Sequence, residues 1–237
     1  MAIATRTETI QMPGEGAMDA YVAIPASGGG PGVLVLMEIF GVGTYIRGAT
    51  DRLAEHGYVA LAPDLYRRTR PGVQFGRGPE GLREAGAAVA ELDMPGAIDD
   101  AIVALGSLRA LPEVTGGAGV LGFCLGGTLA FGVAIAADPD ALVAYYGSGI
   151  PEMIGDADAV SCSALFHFGA VDRYIPLDQS QRVAEAAASR PDWHVEIQPD
   201  GGHAFDNWDN PMFHQPEPAT RAWALTRDFL ARALPAG

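Results

Sequence analysis

From about residue 30 onward, short continuous apolar runs alternate with longer stretches of helical period, the pattern of a mostly parallel sheet covered by helices. The N-terminal part differs, because residues 8–12 and 18–24 flank the turn-forming segment Pro13-Gly14-Glu15-Gly16 and predict an antiparallel hairpin. The run at 33–37 is apolar without interruption, as in a central strand buried on both faces. A helix over 46–56, stopped by Gly57, leads to a strand at 59–62. Residues 67–81 are rich in Arg and Gly, lack periodicity, and read as a long surface loop bordering a pocket. Helical period returns over 82–92 and 96–108, and a strand at 119–123 runs into a helix at 125–136. Strands at 142–146, 164–168 and 195–198 and helices at 178–188 and 218–234 complete the alternation. The expected architecture is α/β, with a central sheet of about seven or eight strands, helices on both faces, and no interior linker dividing residues 1–237.

Composition narrows the function classes. Hydrophobic residues make up 49% of the 237, enough for one sizeable core. No run approaches the roughly 18 apolar residues of a membrane span, and Arg6, Thr7 and Glu8 stand where a signal peptide would be apolar, so a soluble, cytoplasmic protein is expected. The net charge of −14 argues against nucleic acid as a partner, with Arg67, Arg68 and Arg70 the only basic cluster. All 15 basic residues are arginine, which excludes Schiff-base chemistry and a lysine-bearing phosphate loop. Two cysteines, Cys124 and Cys162, are too few for a disulfide framework.

The chemistry centres on Gly122-Phe123-Cys124-Leu125-Gly126-Gly127. A Gly-x-Cys-x-Gly turn between a strand and a helix fits a nucleophile elbow, where the strained central residue needs small neighbours, although the bare motif would equally serve a structural turn around a buried thiol. Asp172 follows the strand at 164–168, and His203 follows the last strand. Functional groups in an open α/β sheet gather at the carboxyl ends of strands, and the order nucleophile, acid, histidine is that of α/β-hydrolases. His203 would take the Cys124 proton while Asp172 holds the imidazole, and attack on an ester or lactone would leave a thioester. The backbone N–H of Leu125 and that of Ile39 are the expected oxyanion donors. His56, His167, His194 and His214 read as structural or exposed, and Cys162 as an apolar filler. Nothing in the pattern calls for a metal or a cofactor.

With these residues, Met37-Glu38-Ile39-Phe40-Gly41, Ala62-Pro63-Asp64-Leu65-Tyr66, Asp93-Met94, Tyr145-Tyr146-Gly147 and Gly202-His203-Ala204-Phe205, the chain resembles the dienelactone hydrolase (carboxymethylenebutenolidase) family over nearly its whole length. The resemblance implies an α/β-hydrolase fold and hydrolysis of cyclic enol esters. It further implies that Glu38 contacts the cysteine and helps form the thiolate when substrate arrives, and that Phe40, Arg83, Tyr146 and Asn207 bind substrate. An exposed helix arginine is the alternative reading of Arg83. Asn207 stands where the family has an arginine and Ala204 where it has a serine, both at positions that help hold the substrate carboxylate. Within the class, a short-chain esterase or thioesterase is the alternative; outside it, a non-catalytic small-molecule binding protein. A monomer or small homo-oligomer acting on a small ester or lactone is expected.

Overall fold

The computed structural model describes residues 2–14 and 16–235, so Glu15 of the expected hairpin turn lies outside the described residues. β1 (Ala4–Gln11) and β2 (Ala17–Ile24) pair antiparallel, from Ala4 opposite Ile24 to Gln11 opposite Ala17. The hairpin is longer than hydrophobicity suggests because β1 is mostly solvent-exposed. Thr5, Thr7 and Thr9 suit a pleated surface without marking a core face.

β2 runs antiparallel to β4 (Val59–Pro63), and from there the sheet is parallel. Its eight strands follow the order β1-β2-β4-β3-β5-β6-β7-β8, with β3 (Gly30–Leu36), β5 (Val114–Phe123), β6 (Ala141–Tyr145), β7 (Ser163–Gly169) and β8 (Trp193–Gln198). β3, β4 and β6 are buried along their whole lengths, as helices on both faces require. β5 begins earlier than its apolar run, since Thr115, Gly116 and Gly117 carry no hydrophobic signal, and its first residue, Val114, pairs with Gly30.

The helices are α1 (Thr44–Glu55), α2 (Gly78–Ala90), α3 (Met94–Arg109), α4 (Leu125–Ala136), the short α5 (Ile150–Met153), α6 (Leu177–Ala187) and α7 (Pro216–Ala233). α2 starts inside the expected loop. Pro79 occupies its first turn, and its buried face is Gly81, Ala85 and Ala88, too small to give an amphipathic signal. α5 and the 3₁₀ turn Ile154–Ala159 have no counterpart in the sequence reading. Among the described residues no helix is long and apolar enough to cross a membrane.

The chain lays β4 on one side of β3 and β5 on the other, so strand order reverses between β3 and β5. In open α/β sheets the ligand crevice opens at the carboxyl ends of two such strands. Glu38 and Ile39 leave one of them, and Cys124 leaves the other.

Candidate active site

Cys124 joins β5 to α4 at φ 53°, ψ −113°, a conformation costly for any side chain. The turn is possible because its neighbours lack side chains. A Cβ on Gly122 would stand 1.9 Å from the Gly126 carbonyl oxygen, and one on Gly126 would stand 2.1 Å from that of Leu36 in β3. The elbow is thereby pressed backbone to backbone against the strand that leads into Glu38, and the positive end of the α4 dipole faces the sulfur.

The structure brings Cys124, His203 and Asp172 into one chain of hydrogen bonds. His203 Nε2 lies 3.0 Å from Cys124 Sγ, and His203 Nδ1 lies 2.8 Å from Asp172 Oδ2. Asp172 Oδ1 accepts the N–H groups of Tyr174 and Ile175, at 2.7 and 3.0 Å, which fixes the carboxylate plane. Burial works to lower the His203 pKa, but the adjacent sulfur and the Asp172 carboxylate outweigh it and raise the value to about 10. The imidazole packs edge-on to Tyr174 and tilts against Tyr146.

Glu38 is 3% exposed. Its Oε1 accepts a 2.7 Å hydrogen bond from the Asn207 amide, and its Oε2 has no partner. Burial pushes this carboxyl up to about 8, opposed by the Asn207 hydrogen bond and by His203. The loop that follows is pinned: the Tyr66 hydroxyl donates to the Ile39 carbonyl at 2.9 Å, and Phe75 N–H donates to that of Phe40 at 3.0 Å. Neither the Ile39 nor the Leu125 N–H donates a hydrogen bond among the described residues, leaving both free for a ligand oxygen.

Two cavities adjoin this arrangement. One, of about 430 Å³, is walled by Glu38, Phe40, Tyr45, Phe75, Arg77 and Asn207 among others. The other, of about 640 Å³, has His203 and Tyr174 in its wall. Phe40 and Asn207 therefore stand where a ligand would meet them. Tyr146 does not: it is fully buried, with φ 39°, its N–H held by the His167 carbonyl at 2.7 Å. It backs the His203 ring instead of lining a cavity. Arg83 is also absent from both walls, since its 74%-exposed side chain pairs with Glu80 on the outside of α2.

A second layer lies behind these residues. The Tyr45 hydroxyl donates to Asp206 Oδ2 at 2.7 Å and lies 3.3 Å from that of Tyr146, while Arg52 Nη2 donates to the same carboxylate oxygen at 3.1 Å. Asp206 is 1% exposed, and burial raises its pKa although Arg52 and Tyr45 partly offset the effect. Only its place three residues after His203 hinted at a role. The Arg67 and Arg68 guanidinium groups both fork onto buried Asp100, and Arg70 pairs with Glu91, so the basic cluster is spent internally. Cys162 is 7% exposed and burial pushes its thiol up to about 11. Among the described residues no three His, Cys, Asp or Glu side chains are grouped to hold a metal ion.

The dienelactone hydrolase family matches this chain over residues 18–234. The carboxymethylenebutenolidase of Pseudomonas sp. strain P51 is 32% identical over 234 residues, 97% of this chain and 96% of that one. Carboxymethylenebutenolidase 1 of Cupriavidus pinatubonensis is 32% identical over 217 residues, covering 91% and 92% of the two chains. Among solved structures, a putative dienelactone hydrolase from Klebsiella pneumoniae superposes with a TM-score of 0.83 at 28% identity, covering 98% of this chain and 100% of the other.

Proposed function

Because the chain belongs to the dienelactone hydrolase family of carboxylic ester hydrolases, we propose that it cleaves small esters or lactones with Cys124 as nucleophile, His203 as general base and acid, and Asp172 as the group that orients the imidazole. The observation that carries this reading is the hydrogen-bonded chain of Sγ, imidazole and carboxylate, at 3.0 and 2.8 Å, assembled from the ends of three strands. With the His203 value raised to about 10, the proton shared with Cys124 rests on Nε2, and the sulfur attacks the carbonyl carbon. The oxyanion is held by the N–H groups of Ile39 and Leu125, and collapse expels the alcohol, which takes the proton from Nε2. Water, deprotonated by His203, then cleaves the thioester, and the sulfur is released beside the proton held on Nε2. Asp172 Oδ1 accepts two backbone N–H groups, which leaves Oδ2 to hold the imidazole.

Glu38 enters as a neutral acid at pH 7, given its value of about 8. The amide of Asn207 holds it without supplying a positive charge. This favours a second reading of the substrate, an ester or thioester other than dienelactone, because the wall around Glu38 offers only Arg77, and that side chain is forked onto Asp209. The test is hydrolysis of p-nitrophenyl acetate and of dienelactones by wild type and Cys124→Ala. The substitution is expected to lower kcat by a factor on the order of 10³ or more on every ester that wild type cleaves. Equal rates for the two proteins would remove Cys124 from the chemistry.

A further inference from the structure

The cavity beside His203 has an electrical character at odds with the rest of the molecule. Acidic residues outnumber basic ones by 29 to 15 in the sequence, yet this wall contains Arg173, His203 and His214 and no carboxylate. Apart from Arg173 and Arg232, every arginine among the described residues is engaged by a carboxylate, a carbonyl or a side-chain amide. Arg232 sits in the last turn of α7, away from both cavities. Among the described residues, Arg173 is thus the one guanidinium that lines a cavity at the site with its charge unspent.

The same wall is apolar where it is not basic. Val171, Tyr174 and Met212 are 60%, 56% and 48% exposed, and with Leu82 and Phe213 they rim the cavity. Large hydrophobic side chains left open together mark a binding surface. Position decides which part of a substrate would lie there. The departing oxygen must come within about 3 Å of His203 Nε2 to take its proton, and His203 belongs to this wall and not to the one around Glu38.

Resting on the Cys124 hydrolase reading, we propose that this cavity receives the alcohol side of the ester and that Arg173 binds an anionic group on it, so that the preferred substrates carry an apolar, carboxylate-bearing leaving group. Val171, Tyr174, Met212 and Phe213 cover the apolar body, and the acyl side faces Glu38, Phe40 and Asn207. An unpaired guanidinium in a wall without carboxylates favours such an anion.

The test compares 4-acetoxybenzoate with neutral 4-acetoxybenzamide, whose leaving groups differ in charge more than in shape. It uses wild type, Arg173→Gln, Arg173→Lys and Cys124→Ala. The ratio of kcat/KM values, anionic over neutral, is expected to fall about fivefold in Arg173→Gln. The change should lie in KM, be largely restored in Arg173→Lys, and shrink as salt is raised. An unchanged ratio in Arg173→Gln, or a wild type that prefers the amide, overturns the assignment while Cys124-dependent hydrolysis stands. Rates unchanged in Cys124→Ala, or no hydrolysis of either ester by wild type, overturn the hydrolase reading and the assignment with it.

Discussion

Glu38 shows how one residue's surroundings set its chemistry. A carboxyl with one oxygen bonded to an amide and the other to nothing is poorly solvated as an anion, and burial raises its pKa from 4.5 to about 8. The folded value lies above the unfolded one, so stability due to the neutral form is whole below about pH 4.5 and is lost as pH rises through 8. Relative to Glu38→Gln, the wild type is therefore expected to lose on the order of a few kcal/mol between those limits and no more above them. Urea unfolding of both proteins from pH 5 to pH 9 measures this, and parallel curves would mean that Glu38 stays ionised throughout. The sequence marked Cys124, Asp172 and His203 because a cysteine between glycines and polar residues just past apolar runs are visible in one dimension. It did not mark Tyr45 or Asp206, whose meeting depends on the packing of α1 against the loop after β8. It also placed Tyr146 against substrate, where folding instead turns that ring inward behind His203.

At the scale of elements, the strand–elbow–helix unit is held by missing side chains. Gly122→Ala would drive a methyl group to 1.9 Å from a backbone carbonyl that cannot move without displacing α4, and about 3 kcal/mol or more of stability should be lost. Gly106 is a control within the same fold, because a Cβ there meets nothing within 4 Å and it sits inside α3. Gly106→Ala should therefore gain about 0.5–1 kcal/mol. Thermal unfolding of the two variants compares them directly, and similar melting temperatures would refute the steric account. The buried strands were legible because β3, β4 and β6 are apolar throughout. The exposed β1, the glycine-bearing start of β5 and the small-residue face of α2 were less so, since pairing and close approach, not hydrophobicity, hold them.

Across the whole molecule, His167 ties three elements together. On β7 it lies 3.0 Å from Thr226 of α7, whose hydroxyl is also 2.6 Å from that of Tyr145 in β6. Full burial lowers its pKa to about 3, so the folded protein keeps it neutral where the unfolded chain would protonate it. Its contribution is whole above pH 6.5 and is lost as pH falls toward 3. His167→Gln is expected to retain more of its neutral-pH stability at pH 4 than wild type does, as read by denaturant midpoints at pH 7, 5 and 4; equal losses would show that other groups govern acid unfolding. The charge asymmetry between the cavities was invisible in the sequence for a related reason, because Arg173, His203 and His214 come from separate loops. The contact between Gly126 and the Leu36 carbonyl also bears on how such a protein diversifies. The nucleophile elbow and the oxyanion loop after β3 meet main chain to main chain, so they are inherited as a block and drift little relative to one another. New specificities must then arise at the rims, at Leu82, Val171, Arg173, Tyr174, Met212 and Phe213, where side chains can be exchanged without disturbing the machinery beneath them.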